Sequence, residues 1–202
     1  MKHAPAKPVN ALLALTLAAA LSGCISFGPK PPPSLLTLQA AASPAVGTSQ
    51  SSAEQRSIVV LVPTVPAALA TQRVPVQATP TTLAYIKEAQ WAEPPARLFA
   101  RLIADTVTAR AGMVVLSGVQ SLSDPSATLG GELRMFGADA VANSAVVTYD
   151  ATLIRPNQTR VEKRRFEARV PVAAINAATV GPALNDAANQ VATQVADWVK
   201  QP

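Results

Sequence analysis

The N-terminal 24 residues constrain this chain more than any other stretch. Two lysines, Lys2 and Lys7, are followed by an apolar segment at 11–21. Two small residues, Ser22 and Gly23, then precede Cys24, the single cysteine of the protein. That order is typical of a secretory signal peptide and not of a folded element. The apolar segment is also too short to cross a bilayer, which takes about 20 residues. We therefore predict that residues 1–23 are a signal peptide and that the mature protein starts at Cys24.

The tetrapeptide that ends this segment resembles the bacterial lipobox, and it reads Leu21-Ser22-Gly23-Cys24. In lipobox proteins the thiol receives a diacylglycerol, the peptide is cut before the cysteine, and the new amine is acylated, for example with palmitate. The resemblance implies an N-acyl diacylglycerol on Cys24 and no other cofactor. Each buried methylene contributes about 0.8 kcal/mol, so several acyl chains give a permanent anchor. Ile25 resembles the residue found in lipoproteins sent to the outer membrane. The alternative is an ordinary cleaved signal with a chance cysteine.

Removal of the signal would leave a domain with no histidine and no free thiol. The single histidine, His3, lies inside the predicted signal, and Cys24 would carry lipid. A chain without them has no Ser-His-Asp triad, no Cys-His pair and no usual zinc site, so we expect neither an enzyme nor a metal protein. Glu88 and Glu93 keep one alternative open, a two-carboxylate hydrolase. Without the two signal lysines the formal charge of +5 falls to +3, too little to indicate nucleic-acid binding.

The rest of the chain divides into a tether and one domain. Residues 24–33 contain the proline run 31–33 and are typical of a stiff spacer, and 34–202 are long enough for a single domain with its own core. The continuous apolar run 57–62 is typical of a strand covered on both faces. Alternation places Met135 on the same face as Leu129 and Leu133, and places every second residue from Ala145 to Leu153 on one face of the next strand. Helical spacing predicts one helix that starts at 90–94 and runs to Ala111, and a second at 184–198 after Gly181-Pro182, with strands at 34–39, 57–62, 74–77, 82–86, 113–116, 128–138, 145–154 and 160–170. This order predicts an α/β or α+β fold, a mixed sheet with two long helices packed on it.

Four pieces of the sequence come in the order typical of a known family. They are the lipobox, a short strand at 35–38, a valine-rich strand at 58–63, and Tyr85 followed by Trp91-Ala92-Glu93-Pro94 before a helix. With the closing strands and helix, they resemble the ABC-type transport auxiliary lipoproteins, which include the paraquat-inducible protein C type. The resemblance covers almost the whole mature chain, and it implies a three-layer mixed-sheet domain.

The same resemblance implies a non-enzymatic lipoprotein on the periplasmic face of the outer membrane. Its partners would be an MCE-domain protein and the associated inner-membrane permease and ATPase of a lipid-transport system. Phospholipid is a further candidate ligand, and a symmetric homo-oligomer is the expected assembly. The alternative is a structural or assembly lipoprotein that supports another envelope complex.

Seven residues are candidates for partner binding: Tyr85, Trp91, Arg160, Lys163, Arg164, Arg165 and Arg169. Tyr85 lies in a proline-rich arm, and surface loops often carry function. Trp91 is either a docking residue or an aromatic side chain that fixes the start of the helix on the sheet. The five cations follow one strand and its turn. They form either a patch for lipid headgroups or an acidic partner, or a solvated face that discourages edge-to-edge pairing.

Overall fold

A computed structural model describes residues 34–118, 120, 125–156 and 161–201. All of them belong to one compact unit, Pro32–Pro202. The predicted signal peptide (1–23), Cys24 with its tether (24–33) and Arg160 lie outside the described residues. Within the described ranges, no helix is both long enough and apolar enough to cross a membrane.

The described chain forms a seven-stranded sheet and two α-helices. The elements in chain order are β1 (Ser57–Val60), β2 (Arg73–Thr79), β3 (Thr82–Gln90), α1 (Pro95–Ala111), β4 (Val114–Leu116), β5 (Thr128–Asp139), β6 (Ser144–Ile154), β7 (Val161–Pro171) and α2 (Ala177–Val199). A short 3-10 helix, Ala67–Leu69, lies between β1 and β2. The predicted single-domain α/β fold, a mixed sheet with two long helices, is confirmed.

β5 is the central strand, because it has partners on both sides and changes partner along one of them. On one side it runs antiparallel to β6, which in turn pairs antiparallel with β7. On the other side it pairs in parallel first with β1, where Val60 faces Leu129, and later with β2, where Gln77 faces Asp139. β4 lies parallel to β1, and β3 lies antiparallel to β2. The sheet is therefore mixed and has three edge strands, β7, β4 and β3.

Burial in β5 and β6 follows the predicted alternation only in part. In β6, every second residue from Ala145 to Leu153 is buried, as predicted, but Val146 and Thr148 on the opposite face are buried as well, so alternation in burial begins only after Tyr149. In β5, the pairing with β6 shifts between Leu133 and Met135. A bulge adds one residue to its strand and so resets the alternation. The buried face therefore continues from Leu133 to Phe136, and the prediction that Met135 shares that face is wrong.

The two helices lie side by side on one face of the sheet. α1 and α2 contact each other, and both contact strands. The ring of Phe99 in α1 meets the ring of Tyr149 in β6 edge-on, with 5.3 Å between centroids. Trp198 of α2 lies 5.5 Å from Phe166 of β7. Because helices in direct contact form a single layer, the described residues make two layers, and the three-layer arrangement that the resemblance implied is wrong.

α1 ends at the predicted residue but begins at Pro95, after the predicted start at 90–94, because Gln90 is the last residue of β3. α2 begins earlier than predicted. Pro95 is the first residue of α1, where its missing N–H costs little. Gly112 follows the helix in the left-handed conformation, with φ of 63°. α2 starts at Ala177 because the side chain of Asn176 caps it, accepting a hydrogen bond from the Thr179 N–H.

The first described residues, 34–41, form a strap across α2. Leu36 makes one parallel bridge with Trp91 in place of the predicted short strand. A Cβ atom at Gly181 would lie 2.7 Å from Leu36, so glycine permits this close crossing. Two asparagines of α2 accept hydrogen bonds from main-chain N–H groups of the strap at 2.9 and 2.7 Å: Asn185 from Gln39, and Asn189 from Ala41.

Candidate functional site

Tyr85 lies in a hairpin arm formed by residues 77–86, which include the ends of β2 and β3 and the turn between them. Its hydroxyl donates a hydrogen bond to the Ala68 carbonyl at 3.3 Å. The guanidinium of Arg73 lies 4.1 Å from the centroid of its ring. Because the side chain is only half-buried, it fixes the base of the arm and still leaves part of the ring open to contact.

Trp91 is fully buried, with 0% of its surface exposed. Its indole ring lies 5.2 Å from the ring of Phe136 in β5, and its N–H has no hydrogen-bond partner among the described residues. A side chain that solvent does not reach has no surface to offer to a partner. Of its two predicted roles, the structure therefore supports the packing role, and the assignment of Trp91 to partner binding is corrected.

The basic residues of β7 do not share one face of the sheet. Arg164 lies on the same face as Phe166, with its guanidinium 5.1 Å from that ring. Because side chains alternate along a strand, Lys163, Arg165 and Arg169 lie on the opposite face. The hairpin arm is at a different edge of the sheet. Among the described candidates, Lys163, Arg165 and Arg169 therefore share one face, and the structure separates them from Arg164 and from Tyr85 and Trp91.

Acidic side chains neutralise the exposed face of β7. Arg165 binds Asp150 of β6 through two hydrogen bonds, of 2.6 and 2.7 Å. Arg169 contacts Glu167 at 2.8 Å and Asp139 of β5 at 3.1 Å. The outer surface of β5, β6 and β7, which we name the polar face, carries as many acidic as basic side chains: Glu132, Asp139, Asp150 and Glu167 with Arg134, Lys163, Arg165 and Arg169.

Two of these contacts favour the ionised form of the carboxyl groups of Asp150 and Glu167. A hydrogen bond from Arg165 lowers the pKa of the Asp150 carboxyl below its usual value, and one from Arg169 does the same for the pKa of Glu167. A hydrogen bond that is stronger to the charged form of a group favours that form. The charges of the face are therefore present at neutral pH but largely cancel within it.

Lys163 lies beside an open groove of about 570 Å³ in the polar face. It is the basic side chain of that face without an ion pair to a described residue. The groove is lined by polar and charged residues that include Thr64, Glu132, Asp150, Thr152 and Arg165. Arg164 also lines the groove and, like Lys163, makes no ion pair to a described residue. Two such cations among paired charges favour the solvated-face interpretation over a headgroup patch, which stays a prediction.

The two carboxylates considered for hydrolysis face different cations. Glu93 contacts Arg101 at 2.6 Å, and Glu88 lies 3.9 Å from Lys87. Each carboxylate thus has a cation as its neighbour, whereas a two-carboxylate site needs both groups around one substrate. In the part of the chain that the structure describes, no three histidine, cysteine or acidic side chains are grouped to hold a metal ion.

Two apolar residues that the sequence assigned to a buried strand are exposed. β1 ends at Val60, and Leu61 and Val62 are 49% and 55% exposed. The prediction of a strand covered on both faces is wrong at these positions, because the neighbouring β4 ends at the residue that faces Val59. Leu61 and Val62 instead line an open groove of about 620 Å³ between the end of β1 and α1. Most of its lining is apolar, and its charged lining residues are Arg97 and the ion-paired Glu93 and Arg101. We name it the apolar groove.

The sequence of this chain matches the family model of the ABC-type transport auxiliary lipoprotein component over residues 36–196. None of the curated proteins matches it. A crystal structure of a DUF330-family protein from Xanthomonas campestris has a TM-score of 0.67 and 20% identity, covering 82% of this chain and 94% of its own. A crystal structure of an uncharacterized protein has a TM-score of 0.63 and 20% identity, covering 71% of this chain and 92% of its own. The two structures share the fold, and the family model covers most of the sequence. The chain belongs to the ABC-type transport auxiliary lipoprotein component family.

Proposed function

We propose that this protein is a non-enzymatic auxiliary component of an ABC/MCE-type lipid-transport system. It is anchored by lipid to the periplasmic face of the outer membrane and acts by docking to the transport complex. The observation that carries the proposal is the family match over residues 36–196, together with the lipobox-like tetrapeptide that ends at Cys24.

An anchor at Cys24 would hold the domain close to the membrane. Residues 24–33 connect the cysteine to the strap. Because the strap is hydrogen-bonded to α2, it does not add to the length of the tether. At about 3.1 Å for each residue of an extended proline-rich spacer, the tether reaches about 30 Å. A partner that crosses the periplasm must therefore come within that distance of the outer membrane to meet the domain.

The apolar groove is the surface that we assign to docking. Leu61 and Val62 are adjacent, large and about half exposed, and exposed apolar surface of this kind commonly marks a protein contact. The polar face is a weaker candidate, because its own ion pairs cancel the charge that would attract a partner. The occupant of the groove in this proposal is the MCE-domain protein, through which the inner-membrane permease and ATPase would act. Phospholipid is then the cargo of the system.

A substitution in the groove tests the docking role. Val62→Lys, in the full-length protein, should reduce co-purification of the MCE-domain protein at least tenfold. Val141→Lys is the matched control. Val141 is 72% exposed in the turn between β5 and β6, and this turn lies at the end of β5 opposite to the end that pairs with β1. Equal recovery of the partner by both variants would contradict the assignment of the groove.

A second variant tests the anchor. Cys24→Ser removes the thiol that would receive the diacylglycerol, so the protein should leave the membrane fraction. Mass spectrometry of the unsubstituted protein should show a polypeptide that starts at residue 24 and whose mass is increased by the acyl chains. A protein that stays in the membrane fraction without its thiol would show that the anchor lies elsewhere.

A further inference from the structure

The strap lies on the outside of the domain, and none of its residues is fully buried. Half-buried and exposed residues alternate along it, and Leu36, Leu38 and Ala40 pack against the core from outside. A segment with few buried apolar contacts opens at a lower free energy than the core does. The strap is therefore the part of the described chain next to the tether that can detach most easily.

Two side chains of α2 hold one end of the strap. Asn185 accepts a hydrogen bond from the Gln39 N–H at 2.9 Å. Asn189 accepts one from the Ala41 N–H at 2.7 Å and donates one to the Gln39 carbonyl at 2.9 Å. All three bonds are exposed, and water replaces an exposed hydrogen bond at a small net cost. These asparagines act as a latch that solvent can compete for.

The other end of the strap is held at Leu36. Its N–H donates to the Gln90 carbonyl at 2.8 Å, and its carbonyl accepts from the Ala92 N–H at 2.8 Å. Its side chain crosses α2 at Gly181 and remains half-buried. The seven strands and two helices contact one another directly. Detachment of the strap would therefore leave their mutual packing in place.

A long exposed stretch follows the strap and leads to β1. Every residue of loop 43–55 is exposed. Within the described ranges its hydrogen bonds are all local, such as those from the Thr48 N–H to the Ala45 carbonyl and from the Gln55 N–H to the Ser51 carbonyl, both at 3.1 Å. The loop therefore has no bond to the sheet or the helices that would stop it from moving with the strap.

We propose that the strap is a releasable part of the tether, which detaches from α2 as one unit while the rest of the domain stays folded. With the strap bound, the tether ends at residue 33 and reaches about 30 Å. With the strap released, the free chain runs from Cys24 to Arg56 and reaches at most about 100 Å, at about 3.1 Å for each residue.

The release gives the anchored domain two ranges. The limit of about 30 Å on the distance to a partner applies while the strap is bound. Release lets the domain meet a partner farther from the membrane, or stay bound to it when the distance changes. This inference rests on the membrane anchor of the proposed function. It adds a change in reach that involves neither the apolar groove nor the polar face.

Cleavage of loop 43–55 tests the release on the anchored protein. A recognition sequence for a site-specific protease is inserted between Ser49 and Gln50 of the full-length, acylated protein in phospholipid vesicles. After the cut, only the contacts of the strap connect the domain to its anchored piece. When the vesicles are sedimented, at least tenfold more domain should stay in the supernatant after cleavage than before it. A fully cut domain that remains on the vesicles would overturn the proposal.

A disulfide across the strap provides the matched control. A Cβ atom at position 181 would lie 3.8 Å from the Leu36 Cγ, so cysteines at 36 and 181 are close enough to form a disulfide. In the oxidised Leu36→Cys/Gly181→Cys protein, the cut domain should stay on the vesicles, and a reductant should release it. A domain that stays after reduction would contradict a releasable strap.

Hydrogen exchange tests the same step without a membrane. The amides of Leu36, Gln39 and Ala41 should share one opening constant, at least 100-fold larger than that of the amides in the middle of α2. Asn189→Ala should raise the exchange rate of all three amides. A Leu36 amide that exchanges as slowly as those of α2 would overturn release as a unit. Uncut protein found in the supernatant would instead contradict the anchor, and the exchange result would still decide the release.

Discussion

Replacing Trp91 by alanine tests whether this residue supports the fold or contacts a partner. Trp91 is 0% exposed and lies against Phe136 in the core. Truncating a buried tryptophan to alanine costs about 3–5 kcal/mol, a large share of the roughly 5–15 kcal/mol that stabilises a domain. With a urea m-value of about 2 kcal/mol/M, a loss of about 4 kcal/mol lowers the unfolding midpoint by about 2 M.

The unpaired indole N–H of Trp91 makes a second, sharper comparison possible. Burying a donor without a partner costs about 1–3 kcal/mol, so Trp91→Phe loses ring contacts but also removes that cost. Trp198 is the matched control, because it is 6% exposed, packs on Phe166, and has no buried unpaired N–H. In urea unfolding followed by circular dichroism, Trp198→Phe should therefore lower the midpoint more than Trp91→Phe. A Trp91→Ala protein as stable as the unsubstituted one, but unable to bind its partner, would refute the packing role.

Three further predictions concern a glycine packed against the backbone of β6, the pH dependence of an ion pair, and the strap. Gly131→Ala should destabilise the fold by roughly 2–5 kcal/mol in urea unfolding, because φ is 140° and the new Cβ would lie 2.1 Å from the Asp150 carbonyl oxygen; Gly130→Ala, which meets nothing closer than 3.4 Å, should be tolerated. A lowered pKa means that ionised Asp150 stabilises the fold above its unfolded pKa and ceases to do so as pH falls through the folded pKa. Asp150→Asn should thus cost about 0.5 kcal/mol at about pH 7 and progressively less as the pH falls through the folded pKa of Asp150, and a cost that stays unchanged in acid would contradict this. Asn189→Ala should speed hydrogen exchange of the Ala41 amide, its partner at 2.7 Å, and unchanged exchange would show that the strap is held elsewhere.

Local sequence patterns predicted the elements whose environment is regular along their length. The inner face of β6 lies in the core along its length, so alternation identified every second residue from Ala145 to Leu153 as buried. Alternation did not predict that Val146 and Thr148 on the other face are buried too. Gly112, just beyond the last residue of α1, identified where that helix ends, whereas its start was predicted at 90–94, before the observed start at Pro95. The start of α2 was missed because Pro182 suggested a first turn, whereas the cap at Asn176 had already started the helix.

Properties that depend on neighbouring strands could not be read from single segments. The cations of β7 looked like a basic patch because their partners, Asp139 and Asp150, lie on other strands. The exposure of Leu61 depends on where β4 ends. A continuous run of apolar residues in β1 does not indicate the length of the neighbouring strand. The number of layers likewise depends on which face each helix covers, which helical spacing within one helix does not encode.

Co-purification of the full-length, acylated protein in mild detergent tests the central claim most directly. Mass spectrometry of the retained proteins should identify an MCE-domain protein, and the Val62→Lys variant should lose it while Val141→Lys keeps it. Recovery of cell-wall or secretion proteins in place of an MCE-domain protein would contradict the transport role and favour a structural or assembly lipoprotein.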